Sequence, residues 1–262
     1  MYPLSIVFRK AGNGGAYLDK VRALGISVTL VTQVLEAELG FGSVVATKRL
    51  EPTTACVWDS GGASFQITSL DDTTPIPTLR SYMGSWGTSI SMAALVENVQ
   101  GRNFRDIATV NPVSVGDAGK LIELIVSKLE EVPAWLQNKE VVFSAAGANS
   151  LFKLCCDVLT DVRRLNHLDR TGTEVTAEIN SFTSFGEFEA FEALSACVEH
   201  TDAELMKHVS FPYADGPHCI VPKLALLVAV MRHTGIQKVE IVPCIGSCAG
   251  LLCDSRFWPP SV

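Results

Sequence analysis

The sequence has no hydrophobic run long enough to span a membrane. Its longest apolar run near the C-terminus, Leu224 to Met231, has 8 residues, whereas a spanning helix needs about 20. The N-terminus also lacks the basic flank and the long apolar core of a signal peptide. These absences predict a buried core helix at 224–231, no membrane partner and a cytoplasmic location.

Positive charge is also scarce. The chain has 21 Lys and Arg residues against 28 Asp and Glu residues, which gives a net charge of −7. Non-specific binding to nucleic acid needs clustered Lys and Arg, so we expect no nucleic-acid partner. An acidic chain can still bind phosphate, because backbone N–H groups and a bound metal ion supply a positive field.

Metal-ligand patterns are missing as well. The 8 cysteines include no C-x-x-C pair and the 5 histidines include no H-x-x-x-H pair, so neither a zinc site nor a histidine site is indicated. Cysteines within apolar stretches are typical of reduced, buried thiols in an intracellular protein. The glycines at 12–15 lack the rest of a G-x-x-x-x-G-K-[ST] phosphate loop, and they are interpreted as a loop before a helix.

Short strand-like runs alternate with longer helical runs along the chain. The pattern predicts strands at 26–31, 55–58, 64–69, 140–144 and 238–242, and helices ending at Leu24 and spanning 35–45, 117–132, 149–162, 222–234 and 248–253, with a capping box at 201–204. This alternation, with one hairpin at 55–69, indicates an α/β fold. Polar residues and a proline interrupt the pattern at 50–54, which predicts a domain boundary there.

The stretch VWDSGGASFQI, residues 57–67, joins a carboxylate to a loop of small residues. The strand delivers Asp59 to its tip, and Gly61 and Gly62 allow a ligand to approach the backbone closely. The N–H groups of this loop, with the Ser64 hydroxyl, could bind phosphate oxygens, and Asp59 could hold Mg²⁺, which prefers oxygen ligands. Taken alone, the local pattern favours an ordinary hairpin turn.

A second loop of small residues follows the strand at 140–144. The segment AAGA at 145–148 predicts a turn into the next helix, with Gly147 facing the same cleft as the first loop. Close packing of strand on helix is the alternative reading of these small residues. Two such loops in an α/β chain indicate a nucleotide or phosphate cleft.

Two further carboxylates lie on the helix predicted at 35–45. Glu36 and Glu38 are two residues apart, so they point to different faces of the helix and cannot both serve one site. Either could join Asp59 in acid–base chemistry, and local physics alone does not choose between them.

The same segments resemble, in order, the motifs of one enzyme family. VWDSGGASFQI resembles the second phosphate-binding motif, D-I-G-G-G-S-x-E, of the exopolyphosphatase and guanosine pentaphosphate phosphatase (Ppx/GppA) family. Upstream, SIVFRKAGN is similar to its T-x-A-x-R-x-A-x-N stretch and ISVTLVTQVLEAELGF to its strand and E-E-A-x-L-x-F helix. Downstream, SYMGSWGTS, FSAAGANS and the C-terminal helix, strand and helix follow, so the resemblance spans nearly the whole chain.

The resemblance implies a fold, a reaction and roles for residues. The fold is the actin-like (ribonuclease H-like) ATPase fold, with residues 1–50 as the remnant of a first subdomain and 51–262 as the second. Glu36 matches the family's catalytic glutamate, which orients and deprotonates the attacking water, and Asp59 would position Mg²⁺. Arg9 matches an arginine that neutralises phosphate charge. The implied ligand is polyphosphate or a phosphorylated nucleotide, and a homodimer is compatible with the family.

Two departures from the family pattern change these expectations. Gln66 replaces the acidic residue that closes the second motif, so it can serve at most as a weak, neutral metal ligand; apyrase-type nucleoside phosphatases of the same superfold also carry glutamine there. The family's first phosphate loop, D-x-G-S-x-S, precedes its arginine stretch, yet Arg9 lies eight residues after Met1. We therefore expect an N-terminally truncated fragment or a relative that has lost catalysis.

Three functions follow as hypotheses. The first is a phosphoanhydride hydrolase of the exopolyphosphatase or guanosine pentaphosphate phosphatase type. The second is a non-catalytic relative that binds phosphate or a partner. The third is an apyrase-like nucleotidase, which the E-A-x-L-x-F helix fits less well.

Overall fold

The computed structural model of the chain describes residues 2–4, 11–137, 143–146, 151–166, 181–208, 216–244 and 247–256. Its strands are β1 (Tyr2–Leu4), β2 (Val28–Leu30), β3 (Cys56–Ser60), β4 (Phe65–Asp71), β5 (Thr78–Gly84), β6 (Phe143–Ala146), β7 (Ser184–Gly186) and β8 (Lys238–Val242). Its helices are α1 (Gly14–Ala23), α2 (Gln33–Lys48), α3 (Thr88–Ala94), α4 (Val115–Lys128), α5 (Leu151–Asn166), α6 (Glu187–Ser195), α7 (Asp202–His208), α8 (Ile220–Thr234) and α9 (Cys248–Cys253).

The strands form two sheets. β1 and β2 pair in parallel, and the other six form a sheet in the order β5-β4-β3-β6-β8-β7. The centre of this larger sheet is parallel, because β3, β6 and β8 run in the same direction. β4 and β5 extend it as an antiparallel meander from β3, and β7 closes the other edge antiparallel to β8.

Side chains alternate between the two faces of the larger sheet, as the pleat of a strand requires. Trp58 and Ile67 point into the main core with α3, α4, α5 and α8. Val57 points to the opposite face, where it packs with Phe41 and Val44 of α2. The helix α2 therefore covers the face of the sheet that is opposite the main core.

Local sequence explains where several helices begin and end. α2 begins where Thr32 Oγ1 accepts the N–H of Leu35 at 3.1 Å, which satisfies one of the unpaired donors of the first turn. The chain leaves α1 and α8 through Gly25 (φ 77°) and Gly235 (φ 72°), a conformation that glycine adopts without strain.

Many of the predicted elements are confirmed. The hairpin of β3 and β4, the strand β8 and the helix α9 lie where the sequence places them. The capping box is present, since the Thr201 N–H donates to Glu204 Oε2 at 2.8 Å and the Glu204 N–H lies 3.4 Å from Thr201 Oγ1. The apolar run at 224–231 is a fully buried part of α8, as predicted.

Several predicted boundaries differ from the structure: β2 is shorter than the predicted 26–31, and α2 is longer than the predicted 35–45. The helix expected at 117–132 begins at Val115 and ends at Lys128, because Leu129 is extended, with ψ 146°. Ala145 and Ala146, predicted as a turn, form the end of β6, where they are 0% and 1% exposed. Small side chains suit a tight turn, but they also suit a central strand that is covered on both faces. β5 was not predicted from the sequence.

In the described part of the chain, no helix combines the length and apolar character needed to cross a membrane.

Candidate functional site

Asp59 lies at the end of β3, on the face of the sheet that α2 covers. It is in register with Gln66 of β4, so both side chains point to the same face. The helix passes directly over the carboxylate: a Cβ atom added at Gly40 would lie 3.4 Å from Asp59 Oδ2. Glycine at this position lets the helix approach Asp59 closely.

The environment of Asp59 disfavours its charged form. Its pKa is raised from 3.8 to about 6, first by burial and second by the negative charge of Glu36. A hydrogen bond from the Ser60 backbone lowers the pKa and offsets part of this rise. A carboxyl group loses hydration when it is buried, and a second negative charge makes its ionisation less favourable. The structure thus brings together two carboxylates that the sequence places 23 positions apart.

The two glutamates of α2 have different surroundings. Glu36 lies in the first turn of the helix and acts electrostatically on Asp59. Glu38 accepts a hydrogen bond from Arg256 Nη2 at 2.7 Å. The arrangement places Glu36, and not Glu38, at the Asp59 site.

The loop between β3 and β4 is held by backbone hydrogen bonds. The Gly61 N–H donates to Ser64 O at 2.9 Å, and the carbonyl groups of Gly61 and Gly62 accept from the N–H groups of Thr88 at 3.2 Å and Ser89 at 2.7 Å. The carbonyl groups are therefore turned toward the first turn of α3. Among the described residues, the N–H groups of Gly62 and Ala63 have no acceptor, which leaves two adjacent donors for an anion.

Gly87 makes the contact between this loop and α3 sterically feasible. A Cβ atom at this position would lie 2.4 Å from Ala63 N and 2.4 Å from Gly62 C. The segment SYMGSWGTS resembles a family segment, but the resemblance implies no role for its second glycine, Gly87. The signal was the glycine before a run of hydroxyl residues, and the structure shows that it abuts the loop.

Ser64 and Gln66 form a buried polar pair beside Asp59. Gln66 Nε2 donates to Ser64 Oγ at 3.2 Å, and the two residues are 3% and 4% exposed. Because the Ser64 oxygen accepts from Gln66, its own proton is available to a different acceptor. Since the Gln66 nitrogen faces Ser64, its amide oxygen is the end that could serve a cation or a water molecule.

Two predicted site residues, Arg9 and Gly147, lie outside the described residues. Ala146, which precedes Gly147 in the chain, is in register with Asp59 on the neighbouring strand. The end of β6 therefore lies beside the end of β3, as expected for two loops that serve one cleft.

A cleft of about 540 Å³ lies at the other end of the sheet. Three of its charged side chains interact with other groups. Lys48 pairs with Glu240, and the Arg80 guanidinium lies 5.0 Å from the centre of the Trp135 ring and 3.8 Å from Asp71. In open α/β sheets, ligands bind outside the carboxyl ends of the parallel strands. Asp59 lies at that end, so we place the candidate site there despite the size of the opposite cleft.

No protein-family model matches the chain, and no curated protein matches its sequence. Solved structures do match. The Aquifex aeolicus member of the Ppx/GppA protein family is 13% identical with a TM-score of 0.62, and the match covers 97% of this chain and 73% of that one. An exopolyphosphatase from Cytophaga hutchinsonii is 14% identical with a TM-score of 0.62, over 95% of this chain and 72% of that one.

These similarities confirm the predicted fold. The chain has the α/β, actin-like ATPase fold of the Ppx/GppA structures, which the sequence motifs predicted in order along the chain. Identity of 12–14% shows likeness of fold alone.

Proposed function

We propose that the chain hydrolyses phosphoanhydrides, releasing terminal phosphate from polyphosphate or guanosine pentaphosphate. The observation that supports this most directly is the approach of α2 to the end of β3, where Gly40 lies over Asp59 and the Glu36 carboxylate raises the Asp59 pKa. Beside them lies a loop with two N–H donors that lack acceptors in the described structure. A phosphate-binding loop next to a pair of carboxylates suits the attack of water on phosphorus.

Each residue has a distinct role in the proposed reaction. The Gly62 and Ala63 N–H groups and the Ser64 hydroxyl bind the terminal phosphoryl group through its oxygens. Glu36 orients a water molecule in line with the bond to be broken and accepts its proton. The water oxygen forms a bond to phosphorus while the bond between phosphorus and the bridging oxygen breaks, and the shortened phosphate chain leaves with the electron pair. Gly61 shapes the loop, since its N–H is committed to Ser64.

The donor set at Asp59 suits Mg²⁺. This ion is commonly held by one or two carboxylates, several waters and substrate phosphates, so it does not need a site built wholly from protein ligands. The described residues contain no cluster of three or more His, Cys, Asp or Glu that could form such a site. The charge of Glu36 makes ionisation of Asp59 less favourable, and a bound cation would reduce the repulsion between these two carboxylates. We assign Asp59 as the ligand, with a weaker contribution from the Gln66 amide oxygen. When bound, Mg²⁺ supplies positive charge to the phosphate oxygens.

The remaining assignments are proposals of the same kind. Arg9 would neutralise substrate charge and Gly147 would contribute to the loop after β6. Residues 1–50 would be the remnant of a first subdomain and 51–262 the second, although α2 packs on the sheet of the second unit. A cytoplasmic location is consistent with the 8 cysteines, all within the described residues, which form no disulfide and of which 6 are buried.

An apyrase-like nucleotidase is the second candidate. The buried Gln66, which donates a hydrogen bond to Ser64, favours it, because apyrase-type enzymes also carry a glutamine at that position of the motif. The two candidates differ in substrate, so one experiment separates them.

The test measures phosphate release by the purified chain with Mg²⁺ from polyphosphate, guanosine pentaphosphate and simple nucleoside di- and triphosphates. Glu36→Gln should lose about 100-fold or more in kcat, the usual cost of a missing general base. Glu38→Gln is the matched control, two residues along the same helix, and should stay within about twofold of the parent because it removes only an exposed pair with Arg256.

Each outcome selects one hypothesis. Turnover of polyphosphate or guanosine pentaphosphate that depends on Glu36 and not on Glu38 supports the proposal. Preference for nucleoside di- or triphosphates supports the nucleotidase. Equal background release by the parent and by Glu36→Gln contradicts both and leaves the non-catalytic relative.

A further inference from the structure

The glycine of α9 lies close against the backbone of α2. A Cβ atom added at Gly250 would lie 2.0 Å from Leu39 O and 3.0 Å from Leu39 Cα. Distances this short are sterically excluded, and the obstacle is helix backbone that cannot move aside as a flexible side chain could. Gly250 therefore allows α9 to rest directly on the backbone of α2.

A buried hydrogen bond joins the same two helices. The Gly250 N–H donates to Ser43 Oγ at 2.6 Å, and Ser43 is 0% exposed. The N–H groups at the start of a helix have no partner within it, so Ser43 satisfies a donor of α9 from the neighbouring helix. The bond spans 207 residues of sequence and fixes both the distance and the register of the two helices.

This contact is continuous with the candidate active site. Residues four apart on a helix are neighbours on its surface, so Leu39 and Ser43 form one row and Glu36 and Gly40 the adjacent row. Gly40 lies over Asp59 and Glu36 acts on it. A displacement of α2 at Leu39 and Ser43 would therefore move the two residues that face Asp59.

We propose that α9 is a positioning clamp for α2, in which Gly250 and Ser43 hold the helix that carries Glu36 over the end of β3. Gly250 and Ser43 are positioning residues, since they act through Glu36 and touch no substrate. The Arg256–Glu38 pair is exposed, and pairs of that kind contribute little. The catalytic part of this inference rests on the proposed function, but the mechanical part does not.

The chain offers a matched pair of variants at this interface. Gly250→Ala introduces a methyl group 2.0 Å from Leu39 O, whereas Gly42→Ala introduces one at 3.6 Å from the Gly250 Cα, an ordinary contact. Both add one carbon between the same helices. If the clamp is real, the first variant displaces α2 and the second does not.

Hydrogen exchange of the full chain measures the mechanical part. In Gly250→Ala, amides at 33–43 should exchange about tenfold faster or more, with β3 and β4 unchanged, because the contact that protects α2 is lost. Gly42→Ala should exchange like the parent. If Gly250→Ala does not fold, Ser43→Ala removes the hydrogen bond without adding volume and should give a smaller change in the same segment.

Kinetics measure the catalytic part. Gly250→Ala should lose about tenfold or more in kcat through misplacement of Glu36. KM should stay within about twofold, because the proposed phosphate-binding groups belong to the loop between β3 and β4 and not to α2. Unchanged exchange at 33–43 in both Gly250→Ala and Ser43→Ala would overturn the clamp. Faster exchange in Gly250→Ala with an unchanged kcat would also overturn α9 as a positioning device. If the parent itself has no activity, faster exchange in Gly250→Ala would support the mechanical clamp and contradict the proposed function instead.

Discussion

Replacing Asp59 by asparagine should make the folded chain more stable at neutral pH. Asp59 has a pKa of about 6 in the folded state against 3.8 for an unperturbed carboxyl group, chiefly because burial disfavours its charge. Between these two values the folded state binds more protons than the unfolded state, so the free energy of unfolding falls as pH rises from about 4 to above 6. Asparagine has no charge to bury and avoids this loss.

The magnitude follows from the size of the pKa difference. A rise of about two pKa units, at about 1.4 kcal/mol each, corresponds to about 3 kcal/mol of lost stability above pH 6. The side chain keeps some contact with solvent, so about 3 kcal/mol is the upper limit, and we expect Asp59→Asn to gain about 1 to 3 kcal/mol at pH 7.5. At pH 4 the folded carboxyl group is protonated, and the gain should be close to zero.

The assay is urea unfolding of parent and variant from pH 4 to pH 8 in the presence of a chelator, because a bound cation would stabilise the parent and hide the effect. Asp71→Asn is the control of opposite sign. The Thr73 hydroxyl and N–H groups lower the pKa of Asp71, so its carboxylate stabilises the fold at neutral pH and its removal should not raise stability. Identical pH dependence of unfolding in the parent and in Asp59→Asn would refute the reasoning.

Three further predictions concern neighbouring groups. Glu36→Gln should lower the pKa of Asp59 while leaving it above the ordinary value of 3.8, because burial is the larger cause of the rise; carbon-detected NMR titration of the carboxyl group measures this. Gly87→Ala should destabilise the fold by about 1 to 3 kcal/mol and weaken phosphate binding, because the added Cβ would lie 2.4 Å from the backbone of the loop. Gly119→Ala is the control: it has open space around it in α4, so it should stabilise the fold by roughly 0.5 to 1 kcal/mol in thermal unfolding. Gln66→Leu should reduce kcat about tenfold or more through loss of the bond that orients the Ser64 hydroxyl, and a kcat equal to that of the parent would contradict that role.

Sequence reasoning predicted the parts of the site that are local. Residues 57–67 contain a strand, a carboxylate and two glycines in one contiguous stretch, so their pattern predicts a hairpin with Asp59 near its tip. The pairing of Gly250 with Ser43 could not be predicted in this way, because it depends on two helices meeting from distant positions in the chain. Ala145 and Ala146 were misread for a related reason: their small side chains fit a turn or a buried strand equally well, and the strands on either side decide between the two.

The choice between Glu36 and Glu38 shows how the fold resolves what the sequence leaves open. Two residues apart on a helix, their side chains point in directions about 200° apart, so the orientation of α2 sends one toward the sheet and the other away. Phe41 and Val44 fix that orientation by packing on Val57. Glu38 then pairs with the exposed Arg256, and the Glu36 carboxylate acts on Asp59, whose ionisation burial already disfavours. Apolar packing thus places two negative charges together at a cost in stability, and such a cost is expected where the charges serve a reaction.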